Sequence, residues 1–106
     1  MQLVEIRINC PDRTTATHIA EHLVATRLVA SANIGSDIDS IYRWRGAVQR
    51  ATEVPLALKT LACQFKAVVA AAAALHPYEV PAITAVEIAA APSYADWVAA
   101  ATAPAP

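Results

Sequence analysis

Glycine is nearly missing from this 106-residue chain, where Gly35 and Gly46 are the only two. A phosphate cradle built from a Gly-rich loop is therefore excluded, because such a loop needs several close backbone approaches. Cysteine is just as scarce. Cys10 and Cys63 are too few for a disulfide framework, and a reducing cytoplasm is the expected compartment. Cations do not dominate either, with 8 Lys and Arg against 9 Asp and Glu and a net charge of −1. Only Arg43, Arg45 and Arg50 cluster, so no nucleic-acid partner is expected. Long apolar runs are absent. Glu5 and Arg7 interrupt the first one, which reads as no secretory segment, and Ala70 to Leu75 is far too short to cross a bilayer. No membrane partner is expected.

Apolar side chain is what the sequence has in excess. Hydrophobic residues make up 57% of the chain and charged residues 16%. The length fits a single domain over residues 1–106 with a real core. So low a charge density leaves more apolar surface than a lone small domain hides, so part of it is expected to be buried against other copies.

Val4, Ile6, Ile8 and Cys10 alternate with Glu5, Arg7 and Asn9, a period of two that predicts a half-buried strand. Asp12 is a good N-cap for a helix reaching about Thr26 or Val29, with Ala16, Ile19, Ala20 and Leu23 at helical spacing. Ala32 to Arg45 returns to a strand pattern, and Gly46 marks the tip of a hairpin. The returning strand puts Val48, Val54, Leu56 and Leu58 on one face and Glu53, Ala57 and Lys59 on the other. Pro55 within it cannot donate to a ladder and predicts an edge or a bulge. Leu61 to Leu75 reads as a helix with Phe65, Val68, Val69, Ala72 and Leu75 as its buried stripe. Pro81 to Ala90 reads as a fourth strand, and Ser93-Tyr94-Ala95-Asp96 as the capping box of a short last helix. Thr102 to Pro106 is expected to fray. The order β-α-β-β-α-β plus a terminal helix predicts an α+β, ferredoxin-like antiparallel sheet.

Three groups of residues have side chains suited to chemistry. His18-Ile19-Ala20-Glu21-His22 matches H-x-x-E-H, the inverted zinc-peptidase pattern. No second helix offers a third ligand, and the residues read as a solvated helix face. Cys10 closes a strand just before a helix N-terminus, where the dipole would lower its pKa, or else it is a small buried hydrophobe. Cys63 reads as structural. The richest group is His76-Pro77-Tyr78-Glu79-Val80-Pro81, in which prolines fix the backbone on either side of an imidazole, a phenol and a carboxylate. With Glu53 and Lys59 from the hairpin, these residues would line a cleft for a metal or a small anion. His76 also suits a helix C-terminus. No nucleophile pairs with it, so acid–base catalysis is not expected.

Several segments together resemble the CutA divalent-cation tolerance family. They are Cys10-Pro11-Asp12, Arg27 to Ile34, Ile41-Tyr42-Arg43-Trp44-Arg45-Gly46, Glu53, Lys59-Thr60, His76 to Pro81 and Tyr94-Ala95-Asp96-Trp97. The resemblance implies a cytoplasmic homotrimer of ferredoxin-like subunits whose hairpin reaches a neighbour. Tyr42, Trp44 and Trp97 would then be interface residues. It implies clefts between subunits near the His-Pro-Tyr segment, a divalent metal such as copper as ligand, and no enzymatic reaction. His76, Glu79 and Cys10 are the candidate metal ligands, and Tyr78, Glu53 and Lys59 the candidate cleft residues. Ser31 stands where the family usually has cysteine, Ala82 where it has glutamate, and Arg45 and Ala47 depart from its usual hairpin tip. Loss of a thiolate weakens a soft-metal site most. The alternative is a trimeric small-molecule sensor, like the nitrogen-regulatory PII proteins, without a metal role.

Overall fold

The computed structural model describes residues 1–104. Strand β1 (Leu3–Cys10) buries Val4, Ile6, Ile8 and Cys10, as its alternation predicts. Helix α1 (Arg13–Ala25) starts where the backbone N–H of Thr15 donates to Asp12 Oδ1 at 2.8 Å. It ends at Thr26 because Arg27 turns left-handed at φ 62°. There the Arg27 and Leu28 N–H groups donate back to Val24 and Leu23, a Schellman closure that satisfies the last carbonyls.

The predicted strand over Ala32 to Arg45 is two strands, β2 (Ser31–Ile34) and β3 (Ile38–Trp44). The return strand β4 (Ala47–Leu61) is long enough to pair with both. Its outer half, Ala47 to Glu53, pairs only with β3 as a two-stranded ribbon, and its inner half lies between β2 and β1. Pro55 is therefore in a central strand, not at an edge. It is tolerated because it sits where the β2 ladder has ended and β3 has not begun. On that side the Gly35 N–H donates to its carbonyl at 2.9 Å. A Cβ on Gly35 would lie 2.9 Å from Pro55 Cγ, so the close approach requires glycine. At the ribbon tip Arg45 (φ 50°) and Gly46 (φ 80°) make a two-residue turn whose positive dihedrals match the twist of the strands.

A single 3₁₀ turn, Ala62–Gln64, follows β4, and α2 (Phe65–Leu75) begins four residues later than predicted. Strand β5 (Ile83–Ile88) is shorter than the predicted Pro81 to Ala90. Helix α3 (Pro92–Thr102) starts with Pro92 rather than a Ser93 capping box, proline's missing N–H being harmless in the first turn. Thr102 does not fray. It is buried, and its hydroxyl donates to the Val98 carbonyl at 2.9 Å; the last two residues of that expectation lie outside the described ones.

The sheet order is β2-β4-β1-β5, antiparallel throughout, with β3 attached to β4 beyond it. This is the ferredoxin-like arrangement. Helices α1 and α2 cover one face. Ile6, Ile8, Leu58, Ile19, Leu23 and Val68 are fully enclosed between sheet and helices, each contributing roughly 1.5–3 kcal/mol. Phe65 and Val69 are only half-buried, and Leu75 is exposed. Helix α3 covers one end of the opposite face through Val98 against Leu3, Leu61 and Ile88. The rest of that face carries Glu5, Arg7 and Lys59, and no described helix covers it. No described helix is long and apolar enough to cross a membrane.

Candidate functional site

The β3–β4 ribbon leaves the main sheet beside the segment that joins α2 to β5. Between them lies a cleft of about 790 Å³. Glu53, the last ribbon residue of β4, forms its floor and is only 6% exposed. Tyr42 and Trp44 of β3 form one wall, and Tyr78 and Glu79 the other. Burial, and next the Glu53 carboxylate beside it, raise the pKa of the Tyr78 phenol above its ordinary value. The phenol therefore stays protonated at neutral pH. Arg45 at the ribbon tip donates to Glu79 at 2.8 Å and lies 5.3 Å above the Trp44 ring. Both partners of the ion pair are well exposed, so the contact orients the tip more than it stabilises it.

His76 does not face this cleft. It caps the C-terminus of α2 and is 7% exposed. Its Nε2–H donates to the Asn9 carbonyl at 2.7 Å, and its Nδ1 accepts from the Tyr78 N–H at 3.2 Å. A carbonyl can only accept and an amide N–H can only donate, so the ring is the neutral Nε2–H tautomer with both nitrogens engaged. The expectation of His76 as a metal ligand is corrected on that ground: the imidazole has no lone pair to offer. It is instead a strut that fixes Tyr78, whose ring lies 4.7 Å away.

Cys10 is also corrected. Its side chain points into the core under α1. Burial first, then the charges of Asp12 and Glu53, push its thiol from an ordinary 9.0 up to about 11. The helix dipole does not prevail, and a thiol fully enclosed in the core presents no open side to an ion. Lys59 is not a cleft residue either. Six residues separate it from Glu53 along one strand, roughly 20 Å at the rise of an extended chain. Its ammonium pairs with Glu5 at 2.8 Å on the same strand face, well along the sheet from the cleft. Among the described residues no three His, Cys, Asp or Glu side chains gather around one point. Within one chain, then, the residues at the cleft do not fit a metal centre.

The cleft instead offers a buried carboxylate, two phenols and an indole. Tyr42 and Trp44, expected as interface residues, line it, while Trp97 lies elsewhere, 5.6 Å from Tyr94 on α3 and half exposed. Asn9 and Arg45 were not expected at the site. Reading the pairing of Cys10 with Val54 one step further along β4, to Glu53, would have pointed to the end of β1.

Residues 4–101 match the family model described as CutA1 divalent ion tolerance protein. The chain is 40% identical over 94 residues to the divalent-cation tolerance protein CutA of Thermus thermophilus, covering 88% of this chain and 91% of that one. It is 37% identical over 92 residues to a protein CutA homolog of Xenopus laevis, covering 86% of this chain but 61% of the frog protein. Among solved structures, CutA of Xylella fastidiosa superposes with a TM-score of 0.93 at 32% identity, covering 97% of this chain and 100% of that one. The sensor alternative is not favoured by these matches.

Proposed function

Because this chain belongs to the CutA1 divalent ion tolerance family, we propose that it serves in divalent-cation tolerance, copper included, as a cytoplasmic homotrimer that binds a small ligand and catalyses no reaction. The observation that carries the assembly is the ribbon. It gives the subunit a long axis of 47 Å against 25 and 23 Å. It exposes Ile41 and Val48 at about 60% together with Tyr42 and Trp44. An unpaired, apolar two-stranded edge is an aggregation liability unless another copy pairs with it. The half-exposed Val86 and Trp97 offer a neighbour further apolar surface. The two free cysteines accord with a reducing compartment.

The proposed ligand site is the cleft, closed by the neighbouring copy. Glu53 would accept from a donor or a cation, and Trp44 and Ile41 would hold an apolar body. A metal held there would need donors from that neighbour, since one chain does not bring enough of them together. Light scattering tests the assembly. A particle of three times 11.2 kDa is expected, and a stable monomer at micromolar concentration would overturn the reading.

A further inference from the structure

The cleft uses none of the remaining histidines. His18 and His22 lie in α1, and both are exposed. Residues four apart on a helix stand one above the other, with Cβ atoms roughly 5–6 Å apart. Two imidazoles at that spacing reach a single ion through nitrogen bonds of about 2.0–2.1 Å. The buried stripe of α1 is Ala16, Ile19, Ala20 and Leu23, so the pair projects from the other side of the helix, away from the sheet. Among the described residues, the only hydrogen bonds made by a histidine ring belong to His76. The contrast is chemical: the histidine inside the family's signature segment has both nitrogens occupied, and the two outside it have theirs free. Glu21, exposed and three residues after His18, adds a carboxylate at the edge of the same face and favours a cation there.

We propose that His18 and His22 form a bidentate surface site for a divalent transition-metal ion, separate from the cleft and with water completing the coordination. Imidazole pairs suit Cu²⁺, Ni²⁺ and Zn²⁺, and the order of intrinsic affinities puts Cu²⁺ first. The peptidase reading of the same motif fails because no third protein ligand gathers there among the described residues. An open two-ligand site lacks only the donors that solvent supplies. The site lies on the outer side of α1, on the opposite side of the sheet from its uncovered face, so self-association through that face leaves it accessible.

Calorimetric titration of the intact protein with CuCl₂ tests this. About one Cu²⁺ per chain is expected. His18→Ala and His22→Ala should each weaken binding by roughly a hundredfold or more, the scale on which losing one of two linked contacts acts. The double variant, left with neither imidazole, should bind more weakly still or not at all. Thr17→His combined with His18→Ala keeps the histidine count but moves one ring to a five-residue spacing on a different face, and it should lose binding as well. Electron paramagnetic resonance of the wild-type complex should show two nitrogen ligands. Copper binding that survives both single substitutions, or no binding by the wild type, overturns the proposal. The first result would move the metal to another site and leave the trimer and its cleft untouched.

Discussion

Replacing His76 with phenylalanine separates a structural histidine from a metal-binding one. The substitution keeps a ring of similar size against Tyr78 and deletes both nitrogens. The Asn9 carbonyl then loses its donor. The segment leading into β5 holds Asn9 only through its N–H, which donates to the Ala82 carbonyl at 3.3 Å. The Tyr78 N–H also loses its acceptor, but Tyr78 is 37% exposed and water can serve it. A buried unsatisfied carbonyl costs about 1–3 kcal/mol; this one is part-buried, so a loss of about 1 kcal/mol, the low end of that range, is expected. Urea denaturation at fixed protein concentration, in EDTA and again in Cu²⁺, measures it. The difference between wild type and variant should be the same in both, and His76→Gln should recover part of it through its amide donor. A difference below about 0.5 kcal/mol, outside the range for an orphaned acceptor, would remove the structural role of His76, and one that appears only with copper would make it a metal ligand.

Other perturbations give equally definite outcomes. Under native conditions at pH 8 a thiol reagent should label exposed Cys63 and spare Cys10, and labelling of two thiols per folded chain would contradict the burial. Because the folded Cys10 thiol titrates at about 11 and an ordinary one at 9.0, the unfolded chain releases its proton first as pH rises. Stability should therefore fall by about 1.4 kcal/mol per pH unit across that window, and Cys10→Ala should flatten the slope. The carboxyl of Glu5 is held below its ordinary value, first by the hydrogen bond from Lys59 and then by that from Arg7. Its contribution is thus present above the ordinary carboxylate range and lost as pH falls through the depressed value; Lys59→Met should remove roughly 0.5–1 kcal/mol at pH 7 and less at pH 3. Gly35→Ala drives a methyl against Pro55 and should cost about 1–3 kcal/mol in a thermal melt. If Trp44 is buried between copies as proposed, Trp44→Ala should lower stability by roughly 3–5 kcal/mol and reduce the particle mass; a loss below about 1 kcal/mol on that scale with unchanged mass would leave the ring at the surface.

Local pattern carried most of the fold. The alternation of β1, the Asp12 cap and the turn at Gly46 each follow from a few neighbouring residues, and each is seen. The break between β2 and β3 left no mark, because apolar alternation reads the same through one strand or two in register. Long-range partners decided the rest. Nothing near Leu61 in sequence says that Leu3 pairs with it and prolongs β4. Nothing near His76 says that the carbonyl of Asn9, 67 residues away, would claim its ring. That Glu53 and Tyr78 come together at one cleft was legible because strand pairing carries them to the same end of the sheet. Lys59 was misplaced because sharing a strand face is not proximity when the strand runs for 15 residues.

That long strand has a consequence for evolution at the site. Sliding β4 by one residue against β1 would turn Val54, Leu56 and Leu58 out of the core and, in the same movement, withdraw Glu53 from the floor of the cleft. The hydrophobic interior thus acts as the ruler against which the carboxylate is placed. Insertions in β4 should be tolerated outward of Glu53, where they lengthen the arm, and rejected inward of it.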